Sequence, residues 1–256
     1  LRGFLPEWTR IASAAFFEDI KTCSTEHGFD FSSKIVKTMS FIVESFPEHC
    51  MTNDIGDFLE DAWAVVEQIQ YKSCGGESTE LESMAFQMIT FSRSIVACPH
   101  EGMFELMKRA LPSVFKVSFH LARLTEQQVE QWDSDANSFL ADEDDLWKLS
   151  NPLRHASLTL IHEIVEVIPD EAFFTLFQTI TDVWENGQNN GRVMESIFCI
   201  LETVAVPLSV FLEDAQGRTG LSPPEICSQM GFSLADLADA LVLGGDDDAS
   251  GGEDSA

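Results

Sequence analysis

Basic residues are scarce in this chain. Fifteen lysines and arginines stand against 43 aspartates and glutamates, a formal net charge of -28 over 256 residues. Such a field repels nucleic acid and anionic lipid and draws in basic proteins at salt-sensitive rates. Cysteine is sparse as well. Six (Cys23, Cys50, Cys74, Cys98, Cys199, Cys227) are scattered without pairing or metal-ligand spacing, which favours a reducing compartment, the cytosol or nucleus, with most of them packed as small hydrophobes. No alternating strand pattern of useful length occurs. No apolar run reads as a membrane span, and the start lacks the basic-then-apolar layout of a signal peptide. Leu1 is not an initiator Met, so the chain reads as a piece of something longer, or as trimmed.

Catalytic signatures are missing too. Gly75-Gly76 and Gly244-Gly245 have neither the flanking strand nor the Lys of a phosphate-binding loop, and there is no Gly-x-Ser-x-Gly elbow. The six histidines lie far apart; His49-Cys50 and Cys98-x-His100 are single pairs where zinc needs four ligands. His162-Glu163 lacks the second His of a metalloprotease motif. The reading is of a protein that is not an enzyme and needs no cofactor.

What is present is helix after helix. Apolar residues recur every three or four positions in eight stretches. The stretches run from Leu5 to Ile20, Phe31 to Phe46, Ile55 to Ile69, Leu81 to Ile95 (opened by a Thr79-x-x-Glu82 box), and Leu106 to Leu121 with Pro112 inside. Three more run from Leu153 to Ile168 behind Asn151-Pro152, Phe173 to Trp184, and Val193 to Val204 with Pro207 near the end. Eight helices pair into four hairpins about forty residues apart, the HEAT or armadillo range. The expected fold is therefore all-α, an α-α superhelix of the HEAT/armadillo solenoid type, with a closed helical bundle as the alternative. The expected divisions are an array over 1–211, a linker with short helices over 212–242 (one opened by Ser222-Pro-Pro-Glu225), and a disordered acidic tail over 243–256. The apolar stripe of the first helix reads as an uncapped array end.

One stretch interrupts the repeats. After Leu124, Thr125 with Gln128 forms a capping box that opens a helix. Asp133, Ser134, Asp135, Asn137 and Ser138 then favour a loop. Over 133–145 that loop gathers Asp133, Asp135, Asp142, Glu143, Asp144 and Asp145. Trp132 and Phe139 read as anchors that pin it against the helices behind. Trp8, Trp63, Trp147 and Trp184 are expected in the core. Without the EF-hand order, a Ca²⁺ site in the loop would be weak and incidental.

The order Thr125-Glu-Gln-Gln-Val129, Trp132, Asn137-x-Phe139, Ala141-Asp-Glu-Asp-Asp145 resembles a segment of the importin-β superfamily of nuclear transport receptors, closest to the importin-9 branch. Leu5-Pro-Glu-Trp8 is similar to a helix opening of the same family. After the loop, Leu146 to Pro152 departs from the acidic-then-aromatic continuation of close relatives. The resemblance implies a HEAT superhelix that carries basic cargo such as histones and ribosomal proteins, under the control of Ran-GTP, between cytoplasm and nucleus. It also implies contact with pore Phe-Gly nucleoporins, and an acidic loop that touches either Ran or cargo. A HEAT-repeat scaffold without transport activity is the alternative.

Overall fold

The computed structural model describes residues 4–22, 29–50, 53–72, 79–137, 152–187, 190–231 and 233. Among them no strand occurs, and the fold is all-α. The helices whose bounds lie among the described residues are, in order, α1 (Phe4–Thr22), α2 (Asp30–Ser45), α3 (Pro47–Cys50), α4 (Asn53–Lys72), α5 (Thr79–Val96), α6 (Glu101–Leu121), α7 (Glu126–Ser134), α8 (Pro152–Val167), α9 (Pro169–Gly187), α10 (Gly191–Thr219) and α11 (Pro223–Gln229).

Prolines and caps explain most of the boundaries. Pro47, Pro152 and Pro169 each open a helix, where the missing N–H costs nothing and φ is preset. His100 Nδ1 accepts from Gly102 N at 3.2 Å, so Gly102 belongs to the first turn of α6. Asn190 Oδ1 accepts from Arg192 N at 3.1 Å and caps α10. Gly220 ends α10 in the left-handed region, φ 75°, with its N–H on Gln216 O. The α2 start is capped from another helix: Asp19 of α1 accepts from the N–H and hydroxyl of Ser32, satisfying an orphan donor.

The long helices pack in two rows. In one, α1 lies on α4, α4 on α6 and α6 on α9; in the other, α2 lies on α5, α5 on α8 and α8 on α10. Across the rows α1 meets α2, α4 meets α5, α6 meets α8 and α9 meets α10, which makes four hairpins. Among the described residues no substantial packing joins the first hairpin to the third or the second to the fourth. The core runs through all four. Phe58 of α4 stands at one junction, edge-on to Phe16 (5.2 Å) and Phe17 (6.2 Å) of α1 and to Phe91 of α5 (5.8 Å). Phe173 of α9 meets Phe211 of α10 at 5.1 Å. At Gly56 the α4–α6 approach is so close that a Cβ would stand 2.8 Å from Leu106 Cδ2.

Two expectations are corrected. The eighth helix does not stop near Pro207; α10 runs 29 residues through it to Thr219, so residues 213–219 continue that helix. Proline removes a single ladder bond, and burial of Pro207, Phe211, Leu212 and Ala215 holds the far half in place. That length also overturns the absence of any apolar span. By length and composition alone α10 is long and apolar enough to cross a membrane, and 33% of its most apolar window is buried. Pro112 is likewise carried inside α6.

Of the tryptophans, Trp63 is fully buried, Trp8 and Trp184 are partly buried against the core, and Trp147 lies outside the described residues. Trp63 Nε1 donates to Ser92 Oγ at 3.0 Å, tying α4 to α5. Replacing Trp63 by Phe strands the buried Ser92 hydroxyl and should cost about 1–3 kcal/mol. Adding Ser92→Ala should recover part of that loss in urea unfolding, whereas full additivity would show that the bond carries nothing.

Candidate functional site

The acidic stretch begins where expected. Thr125 Oγ1 accepts from Gln128 N at 3.2 Å, and Gln128 Oε1 accepts from Thr125 N at 3.0 Å; this reciprocal box opens α7. The helix runs further than the sequence suggests. Asp133 and Ser134 lie in its last turn, with Ser134 Oγ donating to Gln131 O at 3.0 Å, and Asp135 is the C-cap, its N–H on Gln131 O. Asp133 and Asp135 are both exposed, and Trp132 is 43% exposed. Phe139, Asp142, Glu143, Asp144 and Asp145 lie outside the described residues, as does the 243–256 tail.

Sequence reasoning did not single out what sits behind this stretch. Arg154, on the first turn of α8, is 4% exposed. Its guanidinium donates to Ala122 O, the C-cap carbonyl of α6. Two further donations go to the carboxylate of Glu195 on α10, one of them at 3.0 Å, and Cys199 Sγ stands 2.8 Å away. One side chain thus closes the end of α6 and ties α8 to α10, at the two points between which the acidic stretch leaves and returns. Its only advance signal is a lone Arg at a position of the α8 stripe that faces inward, beside Leu153. Nearby, His120 of α6 is held down to about pKa 4, first by its crowding among the helices and then by the cations of Arg123 and Arg192, although part of the ring reaches solvent.

The second row carries a groove of about 690 Å³ between α2, α5 and α8. Val43, Val96 and Val167 supply apolar wall; Glu44, Glu163 and Glu166 supply carboxylates. Arg93 holds Glu163 through two bonds of 2.8 and 2.6 Å, and Ser94 Oγ donates to Glu44 Oε1 at 2.7 Å. Among the described residues that line the groove Arg93 is the one cation, and it is paired with Glu163, so this lining is acidic overall. The first row is pinned in the same way. Arg109 of α6 reaches Asp57 and Glu60 of α4 at 2.6 and 2.8 Å, and Lys108 reaches Glu171 of α9 at 2.6 Å. These pairs are exposed and contribute well under a kcal/mol each. Their effect is to consume cations, leaving the surface excess of acids uncompensated.

No family model matches the chain, and no curated protein does.

Burial, and then the neighbouring Cys98, push the Cys50 thiol up to about 11, and burial raises Cys227 as well. Packing brings Cys50 toward Cys98, yet among the described residues no three His, Cys, Asp or Glu side chains converge as metal ligands. A thiol reagent at pH 8 should therefore label Cys50 at the rate of global unfolding, and label it fast only in denaturant.

Arg154→Ala should destabilise the fold by about 3–5 kcal/mol, since it leaves Glu195 without its buried cation and Ala122 O without its donor. The double replacement Arg154→Met with Glu195→Leu should restore much of the loss in chemical denaturation. Acid adds a separate effect. The Lys108 ammonium holds the Glu171 carboxyl below its ordinary range, so the stability it supplies is present at neutral pH and is lost as pH falls through that lowered value. Glu171→Gln should flatten the acid limb of the stability profile, and because Glu171 also helps hold the Lys108 ammonium charged, it should shift the far alkaline limb slightly as well.

Proposed function

We propose that the chain is a section of a nuclear import receptor: a HEAT-type solenoid that binds basic protein cargo, histones and ribosomal proteins among them, under regulation by Ran-GTP. The observation that carries the reading is the packing, among the described residues, of four hairpins in two rows, each hairpin on its neighbours alone, in a chain whose acids outnumber its bases nearly three to one. Neighbour-only packing is the mark of a solenoid, and a solenoid offers a long face to a large partner. An acidic face selects basic partners and speeds their encounter. The resemblance of 124–145 to the importin-9 branch supplies the transport part of the proposal.

Within this reading Asp133, Asp135, Asp142, Glu143, Asp144 and Asp145 contact cargo or Ran, with Trp132 and Phe139 holding the segment to the array. The protein then works in cytoplasm and nucleus, and meets Phe-Gly nucleoporins on the way. The acidic groove between α2, α5 and α8 adds a second negative surface on the α2–α5–α8–α10 row.

The test is binding of a core-histone dimer across a series of salt concentrations, with and without Ran-GTP. Affinity should fall steeply with salt and change when Ran-GTP is added. Salt-steep binding indifferent to Ran-GTP would favour a HEAT scaffold for basic proteins, and absence of binding would remove the cargo assignment. Neutralising the six acids together (Asp to Asn, Glu to Gln) should weaken histone binding roughly tenfold or more, about 1.4 kcal/mol, and make the salt slope shallower. An unchanged affinity and slope would move the contact away from this segment.

A further inference from the structure

The groove between α2, α5 and α8 holds about 690 Å³, a size that takes a short peptide or a small molecule rather than a whole domain. It lies inside its row. α5 has α2 on one side and α8 on the other, so further hairpins stacked at either end of the array would leave the groove open. Part of its lining is apolar: Pro47, Ala97, Pro99 and Val167, all but Pro47 exposed. Glu44, Glu163 and Glu166 stand among them. The chain itself shows what these carboxylates accept. Arg93 reaches from α5 to α8 and lays its guanidinium on both oxygens of Glu163, at 2.8 and 2.6 Å, the two-pronged fit of arginine on a carboxylate. Glu44 accepts from a neutral hydroxyl, that of Ser94, and Glu166 faces His162 of its own helix at 3.5 Å. Among the described residues neither of these two carboxylates has a lysine or arginine partner.

We propose that this groove binds a short segment of a partner protein in which arginine or lysine alternates with bulky apolar residues. Its cations meet Glu44 and Glu166, and its apolar side chains cover Pro47, Ala97, Pro99 and Val167. Charge complementarity selects a basic segment over an acidic one. The apolar lining then separates this site from the general field of the chain, because burying it rewards a ligand that is more than a string of charges. Arg93 sets the selectivity. In the free chain it occupies Glu163, so an incoming guanidinium competes with it there and finds the other two carboxylates open. The inference rests on the basic-partner part of the function proposed above, and it is independent of Ran-GTP and of the acidic stretch over 133–145.

The experiment is calorimetric titration of the whole chain with an acetylated, amidated hexapeptide of alternating leucine and arginine. Hexa-arginine and a hexapeptide of alternating leucine and glutamate are the comparisons. The leucine–arginine peptide should bind at least as tightly as hexa-arginine, which carries twice its charge, and the glutamate peptide should not bind. Glu44→Gln with Glu166→Gln should weaken the leucine–arginine peptide about fivefold or more, since both charges face the ligand. Arg93→Ala should strengthen it about threefold or more by opening Glu163. Lys21→Ala, which removes a cation from α1 in the other row, should leave it unchanged. All four positions are exposed, and circular dichroism with urea midpoints checks that the variants fold; Glu166→Gln alone replaces the pair if the pair does not. Tighter binding of hexa-arginine would overturn the proposal and assign the attraction to the general field. Equal effects of Arg93→Ala and Lys21→Ala, an unchanged affinity in the carboxylate variant, or binding of the glutamate peptide would overturn it as well. A chain that binds the leucine–arginine peptide but no histone dimer would keep the groove and lose the cargo assignment, and the reverse would lose the groove alone.

Discussion

The constraint on which the rest depends is that most of these helices are apolar on more than one face. A helix with a single stripe can be satisfied by one partner, but one with two stripes must lie between partners. α4 shows the rule: Phe58, Leu59, Ala62 and Trp63 are all essentially without exposure, because α1, α5 and α6 surround them. The aromatic contacts from Phe16 through Phe58 to Phe91 cross three helices for the same reason. Once every hairpin must be covered on both sides, stacking in rows follows.

Polar groups settle orientation rather than provide the stability. Apolar burial is worth about 25 cal/mol per Å², and it is shared by the whole length of the rows. The exposed pairs of Arg93, Lys108 and Arg109 add little energy, but each joins neighbouring helices and rejects other alignments, since an unpaired carboxylate there would face its own kind. Arg154 differs from them. It is buried, its charge is met by Glu195, and its remaining reach closes the carbonyl end of α6. A buried charge of that kind tolerates no slippage, so the exit and return of the acidic stretch rest on a fixed base.

The same pairs shape the electrostatics. In a chain with so few cations, Arg93, Lys108, Arg109, Lys116, Arg154 and Arg218 are all drawn into contacts with the chain's own carboxylates. Cations spent on internal pairing do not mask the remaining acids. The outward field is therefore negative on both rows, and a basic partner would meet it wherever it approached.

By itself the sequence determined the helices, most of their starts and the charge. Pro47, Pro152 and Pro169 are local stops and starts, the boxes at Thr125 and Ser222 are made by residues three apart, and helical periodicity is a property of neighbours along the chain; the Ser222 box is closed by Glu225, which accepts both the N–H and the hydroxyl of Ser222. Where local signals misled, tertiary burial outweighed them: Pro207 and the polar run after Leu212 argue for an end, yet the packing of Phe211, Leu212 and Ala215 carries α10 to Thr219. Only the tertiary structure decided which helices share a row, that Asp19 caps a different helix, and that Arg154 joins Ala122 to Glu195. Those contacts link residues 13 to 41 positions apart, and no periodicity along the chain encodes them. They exist because burying two faces of each helix leaves only a few arrangements, and in this one those polar groups meet.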